Sequence, residues 1–225
     1  MVNPNTIIKL VDINYSVIND KERLDILKAV NLTINVGTSV AITGSSGSGK
    51  TCLLTIMAGL EQPSTGCVYH GNQNITLLNE DQRAKLRARQ IGFVFQSFQL
   101  LPNLTALENV MLPLEINRLN DCKNTALLWL NRVGLTNRTA HYPLQLSGGE
   151  QQRVAIARAF ATTPTVLFAD EPTGNLDKKT ALAIIDLLFE LNSRHQSTLV
   201  MITHDETLAN RCQFHWSLLD GQLIC

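Results

Sequence analysis

Val40-Ala-Ile-Thr-Gly-Ser-Ser-Gly-Ser-Gly-Lys-Thr51 decides the fold class. A short apolar run ends at the first glycine, and Gly44 to Thr51 fits the pattern G-x-x-x-x-G-K-[ST]. A helical pattern continues from Thr51 to Leu60 and is stopped by the turn Gln62-Pro-Ser-Thr-Gly66. Strand, glycine-rich loop and helix in this register form a phosphate cradle. The glycines let backbone N–H groups turn inward at the positive end of the helix. Lys50 then reaches the β- and γ-phosphates of a nucleotide, and the Thr51 hydroxyl reaches Mg²⁺. A turn that merely joined strand to helix would need neither side chain.

On either side of this segment the pattern extends. Residues 6–43 alternate apolar and polar residues, as in Val30 to Ile34, which predicts short strands separated by polar turns. Asp81 to Arg89 carries helix formers ahead of an apolar strand, Ile91-Gly-Phe-Val-Phe95. From Leu100 to Phe160 strand-like runs vanish, and Ala106–Leu119, Lys123–Val133 and Ser147–Ala161 show helical spacing. Strands return at Val166–Ala169, Thr198–Ile202 and Phe214–Leu219, with helices at Lys179–Ser193 and Asp205–Arg211 between them. The alternation predicts an α/β fold on a parallel sheet, and the helical stretch predicts a lobe inserted into it.

Three strand ends carry polar side chains. Val166-Leu-Phe-Ala-Asp170 delivers a carboxylate suited to Mg²⁺ coordination through water, and Glu171 beside it is placed to polarise an attacking water. Alone, such a pair is an ordinary solvated turn; the phosphate loop upstream changes its meaning. Gln96 follows Phe95, and His204 follows Leu199-Val-Met-Ile-Thr203. Either could simply end its strand. In an open parallel sheet, however, strand C-terminal ends face the ligand crevice, so Asp170, Gln96 and His204 can converge on one γ-phosphate. Ser147-Gly-Gly149 opens a helix and offers a hydroxyl and free N–H groups to an anion. It also fits an ordinary capping box with Glu150, and both readings can hold at once. One complete phosphate site already exists, so a second suggests contact with the nucleotide of a partner copy.

The 225 residues, 44% hydrophobic and 17% charged, suit a soluble globular chain with one core or a core plus an inserted lobe. Nineteen basic residues balance nineteen acidic ones, so no net field favours nucleic acid and no nucleic-acid partner is expected. Arg83, Lys85, Arg87 and Arg89 read as a solvated helix face. Cys52, Cys67, Cys122, Cys212 and Cys225 show no CxxC spacing, which argues against a disulfide framework or zinc site and fits a reducing cytosol. The N-terminus lacks a secretion-signal layout. No apolar stretch approaches the roughly 20 residues that cross a bilayer, so work at a membrane would need another chain to hold this one there.

Gly44–Thr51, Gln96, Leu146–Gln151, Asp170–Glu171, Asn175-Leu-Asp177 and His204 together resemble the full motif set of an ABC-type ATPase, over essentially the whole chain. In that family's terms they resemble Walker A, Q-loop, signature, Walker B, D-loop and H-switch. Ile91–Val110 and Phe168–Asp177 are similar to the lipoprotein-releasing and macrolide-efflux subfamily, and Arg83–Arg89 with Gln96-Ser-Phe98 leans towards its YbbA-like branch. The resemblance implies a P-loop NTPase fold of ABC type, with a mixed sheet core (1–98 and 160–225) that includes an N-terminal antiparallel β part. It implies an inserted helical signature lobe over 99–159. It further implies catalytic roles for Glu171, His204 and Gln96, and Mg²⁺ held by Thr51, Gln96 and Asp170. ATP would be contacted by Gly44, Ser45, Ser46, Gly47, Ser48, Gly49, Lys50, Thr51 and Cys52, while Ser147, Gly148, Gly149 and Glu150 reach the ATP of a partner copy. Tyr15 stands where the family often places an aromatic under adenine, although a core or edge-strand aromatic fits the pattern too. Departures are small: Thr51-Cys52 replaces the usual Ser-Thr or Thr-Thr but keeps the hydroxyl, and Thr38-Ser39 replaces a frequent Glu.

By the same resemblance the working form is a homodimer with two ATP molecules sandwiched head to tail. It would hydrolyse ATP to ADP and phosphate and power a separate transmembrane permease with an extracytoplasmic domain. The chain would then sit on the cytoplasmic, inner face of the cell membrane. Phe98, Leu100, Leu101 and Pro102 either grip that permease or belong to the core. Soluble ABC ATPases acting on DNA or ribosomes generally carry two cassettes, long coiled coils or basic segments, which this sequence does not show. A non-catalytic regulator would be expected to lack Glu171 or His204, and both are present. The permease would choose the substrate, so lipoprotein release, efflux and force transmission to the envelope stay open.

Overall fold

The computed structural model describes residues 5–19 and 22–224; residues 1–4 and Cys225, used above for the N-terminus and the cysteine pattern, lie outside the described residues. The chain runs through β1 (Thr6–Asn19), β2 (Glu22–Asn35), β3 (Ser39–Thr43), α1 (Lys50–Met57), β4 (Thr65–His70), β5 (Gln73–Asn74), α2 (Glu80–Gln90) and β6 (Ile91–Phe95). It continues through α3 (Ala106–Ile116), α4 (Cys122–Arg132), α5 (Gly148–Phe160), β7 (Val166–Asp170), α6 (Lys178–His195), β8 (Thr198–Ile202), α7 (Glu206–Ala209), β9 (Phe214–Leu219) and β10 (Gln222–Ile224). The described residues fall into two compact units, one within 5–87 and 198–224, the other within 88–197.

In the first unit, β2, β1, β4 and β5 form an antiparallel sheet in that order. Where short strands and polar turns were expected, β1 and β2 are each 14 residues long. The polar residues that read as turns occupy bulges instead. The β1–β2 register shifts between Leu10 and Ile13 and again around Tyr15, and Asp12 and Ala29 adopt left-handed φ of 49° and 50°. Side chains replace the ladder bonds lost there: Asp12 N–H donates to Asn31 Oδ1 (3.0 Å) and Ala29 N–H to Asn14 Oδ1 (2.8 Å). Ile8, Leu10, Ile13, Leu27, Val30, Leu32 and Ile34 are the buried apolar residues among those described in the pair. Strand β4 had no clear signal, being a short run behind a turn; it pairs with β1 through Leu10 and Val68. Gly66 allows that approach at φ 99°, for a Cβ there would run into Asp12 O.

The same unit contains β3 paired in parallel with β8 and with β9, and β10 antiparallel to β9. Every residue of β3 and β8 is buried, as strands covered on both faces require. In α2 the basic residues are not simply a solvated face. Glu80 accepts from Arg83 (2.7 Å) and Arg87 (2.5 Å), while Arg83 also donates to Leu78 O and Arg87 to Gly59 O. Two of the four cations therefore tie the helix to the preceding turns, and Lys85 and Arg89 remain exposed.

In the second unit β6 and β7 pair in parallel, Ile91 with Val166 through Phe95 with Asp170. Helix α5 buries Val154, Ala155, Ile156, Ala157 and Phe160, the last stacked on Trp129 of α4 at 5.6 Å. Gly92 lets β6 lie against α5, since a Cβ there would be 2.6 Å from Ala159 O. The helices expected after residue 100 are found with ends shifted by no more than three residues. Among the described residues no helix is long and apolar enough to cross a membrane.

Candidate functional site

In the first unit, Gly44–Gly49 leaves β3 and enters α1. Gly44, Gly47 and Gly49 have φ of 155°, 80° and 95°. Gly44 and Gly49 are required by contact: a Cβ would come within 2.5 Å of Leu218 O at Gly44 and 2.8 Å of Ile26 Cγ2 at Gly49. Lys50 is buried, and its Nζ donates to Gly44 O (2.9 Å) and Ser45 O (2.8 Å), so the loop curls around the ammonium group. Ser45, Ser46 and Gly47 are exposed at the rim, beside a cleft of about 510 Å³ shared with Ile26, Lys28 and Asp220. Ser48 Oγ is buried with no hydrogen-bond partner, and Thr51 lies exposed in the first turn of α1. An orphaned hydroxyl, a loop with no room for a Cβ at Gly44 or Gly49 and a buried lysine suit a polyphosphate.

Tyr15 of β1 is half-buried. Its phenol pKa is raised by burial, then by Glu61 and Cys52. Burial likewise raises the Cys52 thiol, with Glu61 adding to it. His204 follows β8, whose Ile202 pairs with Ile42 of β3. It therefore emerges at the same sheet end as the glycine loop. Thr203 and Asp205 fix its backbone: Asp205 N–H donates to Thr203 Oγ1 (3.0 Å), and Asp205 Oδ1 caps α7 by accepting from Thr207 N–H (2.8 Å).

In the second unit the register Phe95–Asp170 puts Gln96 and Glu171 at equivalent positions one residue beyond the two strands. Asp170 and Glu171 are half-buried, and Glu171 holds a left-handed φ of 43°, a strained conformation for a side chain of this kind. Sequence reasoning missed what positions them. Asn175 Nδ2 donates to Gln96 O (3.0 Å) and its Oδ1 accepts from Gln96 Nε2 (3.4 Å). Gly174 makes room, because a Cβ would sit 2.6 Å from Gln96 Nε2. The fully buried Gln152 of α5 donates to Pro172 O (2.5 Å), fastening the residue after Glu171. Asp177 caps α6 through Lys179 and Thr180 N–H, and bonds from Thr180 hold its carboxyl below the usual range.

Ser147 caps α5, and the capping box is complete: Ser147 Oγ accepts from Glu150 N–H (3.3 Å) and Glu150 Oε2 accepts from Ser147 N–H (2.8 Å). Arg138 donates to Glu150 Oε1 (2.9 Å) and, with the Ser147 backbone, pulls the Glu150 pKa down to about 2. Gly149 also has a packing reason, since a Cβ would lie 2.5 Å from Thr180 Cγ2. Phe98 and Gln99 carry left-handed φ of 59° and 48°, and the Arg158 guanidinium donates to both carbonyls (2.9 and 2.6 Å). Burial lowers the Arg158 pKa. Phe98 comes within 3.7 Å of where a Gly148 Cβ would be and is half-buried, whereas Leu101 and Pro102 are exposed. Asn109, fully buried, organises that segment by bonding the N–H and C=O of Leu101 and the carbonyls of Leu104 and Thr105.

Among the described residues no group of three or more His, Cys, Asp or Glu could hold a metal ion, and Cys52, Cys67, Cys122 and Cys212 are free. The donors on offer are hydroxyl, amide and carboxylate oxygens. That set fits Mg²⁺, which keeps waters and takes phosphate oxygens rather than an all-protein cage.

The family profile described as ABC transporter matches residues 27–174. Over 219 residues the chain is 50% identical to an uncharacterized ABC transporter ATP-binding protein, YbbA, of Escherichia coli (strain K12), with 96% of each chain covered. Over 203 residues it is 47% identical to the lipoprotein-releasing system ATP-binding protein LolD of Legionella pneumophila (strain Paris), with 89% of each covered. Among solved structures, the dimeric post-hydrolysis state of the ATP-binding cassette MJ0796 bound to ADP and Pi matches with a TM-score of 0.90 at 42% identity, over 97% of each chain.

Proposed function

This chain belongs to the ABC transporter family and is its ATP-binding, ATP-hydrolysing kind of subunit; from that premise we propose how its residues share the work. The observation that carries the proposal is the glycine loop closed around buried Lys50. Lys50 and the N–H groups of Gly44–Thr51 hold the β- and γ-phosphates, and Tyr15 stacks on the adenine. Thr51, Gln96 and, through water, Asp170 hold Mg²⁺. When bound, Mg²⁺ neutralises charge on the phosphate oxygens. Glu171 accepts a proton from the attacking water, and His204 donates to the γ-phosphate. Ser147 and the N–H groups of Gly148 and Gly149 bind the γ-phosphate of the ATP held by a second copy, giving a homodimer closed over two ATP molecules.

The partner is a transmembrane permease with an extracytoplasmic domain, which holds the chain at the inner face of the membrane. Leu101 and Pro102, exposed beyond Gln96, meet it together with a neighbouring cleft of about 320 Å³ whose walls include Phe93, Phe95, Pro113 and Ile116. Phe98 is assigned to packing instead. The test is a pull-down from solubilised membranes with tagged Glu171→Gln in ATP and Mg²⁺. Recovery of a permease with few spans and a large extracytoplasmic domain supports the reading. Recovery of ribosomes, DNA or no membrane protein overturns it.

A further inference from the structure

Directly before the phosphate loop, Thr43 ends β3 with its hydroxyl among three polar groups. His215 Nε2 lies 2.7 Å away, Ser217 Oγ 3.2 Å and Trp216 O 3.5 Å, all from β9. A hydroxyl has one proton and two lone pairs, so three neighbours use its capacity fully and fix its rotation. Thr43 is 8% exposed, whereas His215 lies at the surface. The next residue, Gly44, presses on the same strand, since a Cβ would be 2.5 Å from Leu218 O. Gly44 O is in turn one of the two carbonyls that hold Lys50 Nζ. Two hydrogen bonds, joined by the Thr43 side chain and the backbone of Thr43 and Gly44, thus connect His215 to the lysine of the loop.

We propose that His215 is a positioning residue for nucleotide binding: through Thr43 it fixes the point at which β3 turns into the phosphate loop. This rests on the reading of Gly44–Thr51 as the phosphate cradle. Pre-setting the loop removes part of the ordering cost that a nucleotide would otherwise meet. The hydrogen bond therefore acts on affinity, while the hydrolytic groups are untouched.

The test is calorimetric titration of ADP into the full chain, alongside steady-state ATP hydrolysis and thermal unfolding. Loss of one such bond predicts about fivefold weaker ADP binding for His215→Ala and for Thr43→Val. The kcat and the unfolding midpoint should stay near those of the parent. His215→Gln, which can return a nitrogen to Thr43, should recover most of the affinity, and the double variant should bind no more weakly than either single one. Unchanged ADP affinity in His215→Ala, equal loss in His215→Gln, or multiplied losses in the double variant would overturn the inference. Lys50→Ala separates it from its premise: if that variant keeps full ADP affinity, the cradle reading itself fails.

Discussion

At the scale of single residues, Glu171 is held in place through its backbone and its neighbours. It sits one residue past a strand register shared with Gln96, in a left-handed conformation, with Pro172 fastened by Gln152. Replacing it by Gln keeps the shape and would remove the proposed base. Phosphate release should fall by about a hundredfold or more, with ATP binding retained, as radiolabelled nucleotide retention would check. Asn175 acts one step removed. Asn175→Ala frees the Gln96 amide and should lower kcat about fivefold with KM for ATP unchanged; a change confined to KM would refute the assignment. The strand-end positions of Asp170, Gln96 and His204 were legible because each ends or closely follows an apolar run, with Glu171 next to the first. The roles of Asn175, Gln152 and Asn109 were not. Their partners are backbone groups or an amide, two of them 20 and 79 residues distant, and no local pattern marks such a pairing.

Among the elements, α5 offers the sharpest pH test. Glu150 has its carboxyl pulled to about 2 from an ordinary 4.5 by Arg138 and Ser147. A depressed folded pKa means the stabilisation is complete above the unfolded value and fades as pH falls from about 4.5 towards 2. Glu150→Gln should therefore unfold at a lower temperature than the parent at pH 7, and the gap should narrow across that acid window in parallel scans. Gly92→Ala tests the seam between β6 and α5. Its methyl meets the Ala159 carbonyl, a backbone atom that cannot swing away, and the expected cost is about 1–3 kcal/mol by urea unfolding. Helix positions were readable from 3.6-residue spacing. The β1–β2 pair was misread as short strands, because Asp12, Asn14 and Asn31 look like turn residues until a bulge is seen to employ them.

For the whole molecule, the family and the alternating architecture could be read from motif order, whereas the partner-facing surface could not. Apolar residues after Gln96 look alike in sequence, and only packing separates Phe98 from Leu101. Leu101→Asp should leave ATP hydrolysis by the isolated chain intact while abolishing recovery of the membrane partner in the pull-down. Undiminished recovery would move the contact elsewhere. The proposed homodimer requires that other modes of pairing be avoided. Strand β2 forms one border of its sheet and runs for 14 residues, long enough to invite a neighbouring chain to add a strand. The kink at Ala29 breaks that border in its middle, and Lys28 spends its N–H on Gly221 O (2.8 Å). The bulges that hid these strands from sequence reading thus guard against edge-to-edge aggregation, leaving copies of the chain to associate through other surfaces.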